Sequence, residues 1–332
     1  MKLKNIGKMI FATLIIPAAV YLFFLILRPS VFAKPSLIWT LFNQSIAYII
    51  MAWGMSFEMT AGNMDLSVGA EMIFGTLVAC QLASKLGIPG IVLGALAVAL
   101  VIATIKSVLS TLINVNGLII SIAYTLIFGS LGYVYVKGQS VILTSENTLL
   151  GKFPYSLIIL VISGIVIYVL DKYSVFGAHC RALGGNETLA KTAGIKKNVV
   201  NTKAIFICSI YAAIAAIISV SRCAGSAAQT GLLSMSVVFQ AMTGVFIAMI
   251  LTKYINMTVG IIVGVVSMNI ITIGLIAIDM PSSMKDTVNG GFLLLLMIIN
   301  FIINKREKDK LYRQASASRV AAEEKAAAET LA

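Results

Sequence analysis

Charge is scarce in this chain of 332 residues: only 11% of positions are Asp, Glu, Lys or Arg, against about 25% in an ordinary soluble domain. With 59% hydrophobic residues and a mean hydropathy of +0.98, the apolar surface is too large for one water-soluble core. Histidine occurs once, as His179, with no accompanying nucleophile or base, which makes it a solvated loop residue and leaves catalysis unsupported. There is no Gly-x4-Gly-Lys-Ser/Thr phosphate loop, and Gly184-Gly185 is too short to cradle a nucleotide, so the chain does not hydrolyse ATP by that route. The four cysteines (Cys80, Cys180, Cys208, Cys223) are scattered without a Cys-x-x-Cys pair, which implies neither a disulfide framework nor a metal site. The alternation over about 10 residues that marks a barrel strand is also missing. What remains is long unbroken apolar runs, and these predict an all-α polytopic membrane protein.

Ten transmembrane helices are expected, at 9–27, 37–57, 66–84, 88–112, 118–136, 154–170, 204–221, 236–252, 257–277 and 290–303. Lys2, Lys4 and Lys8 precede the first run as they would a signal peptide, but the run exceeds a signal core and Arg28-Pro29 interrupts it, so it is expected to be retained. Residues 1–303 form the transmembrane domain. From Asn304 the composition turns to charge and then to Ser, Ala and Glu, and 304–332 is expected to be a solvated, poorly ordered cytoplasmic tail.

The net charge of +12 is distributed as a topology signal rather than as a nucleic-acid patch. Of the 25 basic residues, 17 fall on the side of the amino terminus, 7 on the other, and Lys106 lies within a span. That bias predicts cell-membrane insertion with both termini and the 171–203 loop in the cytoplasm.

The loop Asp171–Lys203 is the only long polar interval between the apolar runs. Asn186 is a good N-cap, Glu187 suits the positive end of a helix dipole, and Gly194 is a good terminator, so Asn186–Ile195 is expected to form a short docking helix. Two other segments, 58–66 and 222–235, look like irregular backbone, which is tolerated at membrane depth only where protein shields it or a wet cavity adjoins it. Glu58, Asp65 and Glu71 cluster around the first. Asp65 reads as the N-cap of the third span or as part of a polar break lining or gating a path, with Gly62, Asn63, Ser67 and Gly69. Lys106 either pairs with Glu71 or snorkels to the surface. Gly90/Gly94 and Gly260/Gly264 have the spacing for close helix packing within one subunit.

A faint internal repeat lays Gly62–Ala79 over Gly231–Ala248, aligning Ser67 with Ser236, Val68 with Val237, Gly75 with Gly244 and Ala79 with Ala248. An odd number of spans separates the copies, so the repeat would be inverted, as in many transporters.

The stretch GNMDLSVGA resembles the Gly-x-Asp-Leu-Ser-Val-Gly signature of the simple-sugar permeases of ABC importers, the group that includes ribose, xylose, galactose and autoinducer-2 permeases. RALGGNETLAKTAGIKKN is similar to that family's cytoplasmic Ala-Leu-Gly-Gly-Asn-x4-Ala-x3-Gly-Ile segment. The resemblance covers roughly residues 10–303. It implies a ten-span subunit paired with a second permease, two cytoplasmic ATPase subunits and an extracytoplasmic solute-binding protein. ATP and Mg would be bound by those partners and no cofactor by this chain. It also implies that Leu183, Gly184, Gly185, Asn186, Glu187, Ala190, Gly194 and Ile195 couple to an ATPase, and that the cargo is a small polar solute of the simple-sugar class.

The second half departs from the family pattern. Where the family has a Tyr-Glu-Leu-Asp-like stretch and a Gly-rich turn, this chain reads Leu232-Leu233-Ser234-Met235 and Met242-Thr243-Gly244-Val245-Phe246. A sister permease therefore stands beside a second copy as the possible partner. The alternative reading of the intramembrane acids is an ion- or proton-coupled secondary transporter or channel. A third, a membrane scaffold that transports nothing, leaves those acids unexplained.

Overall fold

The computed structural model describes residues 3–113, 117–252, 254–281, 284–285, 287–303 and 305–306, with backbone only for 3–12 and 145. The tail expected from Asn304 onward lies outside the described residues apart from Lys305 and Arg306. In chain order the elements are α1 (Leu3–Leu27), α2 (Pro29–Phe32), α3 (Pro35–Thr60), α4 (Val68–Leu86), α5 (Ile88–Leu112), α6 (Gly117–Tyr135) and β1 (Ser140–Ile142). A 3-10 helix over Ser145–Gly151 follows, then α7 (Tyr155–Tyr173), α8 (Val175–Gly185), α9 (Glu187–Thr192), α10 (Lys197–Cys223), β2 (Gly225–Ala227), α11 (Met235–Leu251) and α12 (Met257–Ala277). The last is α13 (Thr287–Ile303).

The architecture is mostly helical. Six helices, α3, α5, α6, α7, α10 and α12, are long and apolar enough to cross a membrane by length and composition, and Thr13–Leu27, α11 and α13 are shorter apolar helices. The expectation of a purely helical chain needs one correction: β1 and β2 pair antiparallel, with Val141 opposite Ser226. Gly225 permits it, because its Cβ would run into the Val141 carbonyl.

Elements begin and end where local chemistry dictates. Pro35 and Pro89 stand in the first turns of α3 and α5, where a missing N–H costs nothing. Gly62, at φ +89°, ends α3: its N–H reaches the Met59 carbonyl at 3.1 Å and that of Asn63 the Glu58 carbonyl at 2.9 Å. This pair of bonds satisfies carbonyls that the helix end would leave orphaned.

The core is built around α3 and α10. Small residues of α10 (Ala204, Ala212, Ala213, Ala215, Ala216) are all buried, and Gly54 of α3 has no space for a Cβ against Tyr211. Close approach of this kind is how helices associate where lipid offers no hydrophobic contrast. Trp53 Nε1 donates to the Thr258 carbonyl at 3.0 Å and the Tyr211 hydroxyl to the Ser163 carbonyl at 2.8 Å, tying α12 and α7 to this centre. The expected close packing at Gly90, Gly94, Gly260 and Gly264 is intramolecular, against α4 in the first pair and α11 in the second. On the periphery, α7 turns Ile158, Val161, Ile162, Ile165 and Val166 outward, a face that suits hydrocarbon and not water.

Candidate functional site

Two sequence-predicted regions, the break expected over 58–66 and the 171–203 loop, come together at one end of α3; α3 runs on to Thr60, so the break itself is 61–67. Gly184, near the end of α8, packs so tightly on the Thr60 carbonyl that a Cβ has no room there. Phe176 of α8 packs on Phe57 of α3 with ring centroids 5.0 Å apart. The loop thus rests on the helix end that opens into the break.

Asp65 is not the N-cap of α4. That position is Ser67, whose side chain makes no capping bond, and α4 begins at Val68. Asp65 instead folds back, its Oδ1 accepting from the Ser67 N–H at 2.8 Å and from Ser67 Oγ at 2.6 Å. Its other oxygen, Oδ2, lies 2.5 Å from Lys106 Nζ, and Lys106 also reaches Glu71 Oε2 at 3.1 Å. Lys106 therefore does not snorkel: its side chain is 2% exposed. Removing either partner of such a buried pair strands the other charge in low dielectric, so the bridge fixes the break to α5. Asn63 fixes it to α10, donating from Nδ2 to Asn201 Oδ1 at 2.9 Å. Gly69 is pressed against the Ser234 carbonyl and Val238, bringing the first turns of α4 and α11 together. Gly62 faces open space and is required for its φ alone.

A cavity of about 580 Å³ adjoins the break, with Glu58, Asp65, Lys106, Tyr124, Glu187 and Lys197 in its wall. The polar break and the loop helix therefore border one space.

Both short helices of the loop, α8 and α9, start on a side-chain cap. Ser174 Oγ accepts from the Gly177 N–H at 3.1 Å to start α8, and Asn186 Oδ1 accepts from the Leu189 N–H at 3.1 Å to start α9. Gly194, at φ +84°, closes α9: its N–H reaches the Lys191 carbonyl and that of Ile195 the Ala190 carbonyl, both at 3.0 Å. The docking helix expected over Asn186–Ile195 is thus six helical residues between two caps. Glu187 bonds Lys191 at 2.8 Å and Lys197 at 2.9 Å. Those hydrogen bonds, the Lys191 one foremost, hold the Glu187 carboxyl below its ordinary range. Burial pushes the Cys180 thiol of α8 up to about 12 and leaves it inert.

The eight residues assigned to coupling divide into two sets. Leu183 and Ala190 are buried, Ile195 is half-buried and Gly184 abuts Thr60; these anchor the loop. Gly185, Asn186, Glu187 and Gly194 are exposed. Leu189, an apolar residue of the expected docking helix that is not among the eight, faces outward and is 70% exposed. Sequence reasoning overlooked Tyr124 and Asn201, which no local pattern marks.

The family described as Branched-chain amino acid transport system / permease component matches residues 37–299. The chain is 26% identical to the L-arabinose ABC transporter permease protein of Azospirillum brasilense, over 74% of this chain and 74% of that one. It is 29% identical to the Ribose import permease protein of Bacillus subtilis, over 59% of this chain and 64% of that one. It is 22% identical to the Galactose/methyl galactoside import permease protein of Haemophilus influenzae, over 87% of this chain and 95% of that one. No solved structure matches the chain at a significant level. The chain belongs to the family Branched-chain amino acid transport system / permease component, and with these relatives it stands among the permease subunits of ABC sugar importers.

Proposed function

We propose that this chain forms one half of the membrane pathway of an ATP-driven importer for a small polar solute of the simple-sugar class. It does so by alternating access, with α9 as the element that a separate ATPase grips. The observation that carries this reading is the anchored, doubly capped α9, which presents Leu189 outward while resting through Gly184 on the end of α3. A force applied to α9 would reach α3 and the break through that contact. The energy comes from differential binding of ATP to the two states of the partner ATPases. Gly62, Asn63, Asp65, Ser67 and Gly69 form the gate, ATP and Mg belong to the partner subunits, and a solute-binding protein delivers the cargo. The second permease is another copy or a sister chain.

Ten spans follow if α4, with 19 residues, crosses together with the six long helices and the three shorter ones. The inverted repeat is supported by the offset of 169 residues between Ser67 and Ser236. That offset carries Ile88, the first residue of α5, onto Met257, the first of α12. It makes Gly69 and Val238 equivalents that touch each other, as they would on a two-fold axis, and relates the Gly75–Ala95 contact to Gly244–Gly264. The bias in basic residues supports both termini and α9 lying in the cytosol.

The ion-coupled alternative draws on the buried cluster around Lys106. Reconstitution separates the two: vesicles holding this chain with its ATPase and binding protein should take up sugar only with ATP. Uptake driven by an ion gradient without an ATPase would select the alternative.

A further inference from the structure

Three carboxylates, buried Glu58 and Glu71 and half-buried Asp65, surround a single buried ammonium, Lys106. Lys106 is shared by Asp65 and Glu71, and Asp65 also takes both Ser67 donors. Glu58 is left out. It is 3% exposed, and neither of its carboxylate oxygens has a hydrogen-bond partner. A carboxylate that is buried, unpaired and close to two others would cost several kcal/mol, and such a group is commonly neutralised instead. The Tyr124 hydroxyl, on a residue 7% exposed, also lacks a partner and lies in the wall of the same cavity. Among the described residues no group of His, Cys, Asp and Glu is arranged to hold a metal ion.

We infer that Glu58 is a proton-binding site, protonated in this conformation and exchanging its proton with water through the cavity that it lines. The titratable groups that interact with it are Asp65 from the break, Glu71 of α4, Lys106 of α5 and Cys208 of α10. Tyr124 of α6 and the loop residues Glu187, Lys191 and Lys197 share the cavity wall. Glu187 and Lys191 are exposed, so solvent reaches the space. Exchange is a simple ionisation, in which the carboxyl gives its proton to water or hydroxide and becomes a third negative charge beside Asp65 and Glu71. None of this depends on what docks on α9.

Infrared spectroscopy of the purified full-length protein, in choline buffer without sodium or potassium, reads the site directly. A protonated-carboxyl C=O band is expected at neutral pH, lost in Glu58→Gln and lost from the native protein as pH is raised. Cys208→Ala removes the thiol beside Glu58 and should shift the band without abolishing it, which identifies the band even where Glu58→Gln does not fold. A band unchanged in both variants overturns the inference. So does a band that disappears on exchanging choline for sodium or potassium at constant pH, which would assign the site to an alkali cation.

Discussion

Gly184 and Thr60 meet backbone to backbone, and the α-carbon of Gly184 leaves no room for a methyl group against the Thr60 carbonyl. Gly185, its neighbour, has nothing within 4 Å of where a Cβ would stand. The Gly-Gly pair is therefore one contact and one free position. Gly184→Ala should destabilise the protein by about 1–3 kcal/mol through overpacking and should reduce uptake, while Gly185→Ala leaves stability unchanged. Thermal unfolding in detergent and solute uptake check the contrast; equal behaviour of the two variants would mean that the loop does not rest on α3.

Lys106→Met strands Asp65 and Glu71 together in the interior. A loss of about 3–5 kcal/mol is expected. Adding Asp65→Asn and Glu71→Gln removes the stranded charges, so the triple variant should recover much of the lost thermal stability. A single variant as stable as the native protein would contradict the bridge.

Asn186→Ala removes the bond to the Leu189 N–H. The cost should be about 0.5–2 kcal/mol and confined to α9, seen as faster hydrogen exchange there with unchanged global melting. Asn186→Ser or Asn186→Asp, which also cap, should restore protection.

Local chemistry on one stretch of chain was legible. Asn186 and Gly194 mark the two ends of α9 because each satisfies backbone groups a few residues away. The Lys106 bridge was only half legible, since its partners lie 35 and 41 positions away and nothing local separates pairing from snorkelling. α8 escaped notice because its buried side, Gly177, Cys180 and Leu183, is too sparse to read as an apolar face. The β1–β2 ribbon joins two segments far apart in the chain, and no alternation in either announces it.

Glu187 titrates below the ordinary carboxylate range because Lys191 and Lys197 hydrogen-bond its charged form. Since the folded value is the depressed one, the stabilisation is complete above the unfolded value, about 4.3, and is lost as pH falls through the folded value. Exchange protection of α9 should therefore be flat at neutral pH and fall on acidification, and Glu187→Gln should flatten the acid limb. The pair is exposed, so the effect should be small and should weaken in high salt.

The measurement closest to the central claim uses thiol accessibility. Cys80, Cys180 and Cys208 are buried and Cys223 is exposed, so Cys223→Ser leaves a background without an exposed native thiol. Leu189→Cys then places one reactive thiol at the outward residue of α9. A membrane-impermeant maleimide should label it in inverted vesicles and not in intact cells, and added ATPase should protect it. Labelling in intact cells, or no protection by the ATPase, would contradict the assignment of α9 as the cytoplasmic docking helix.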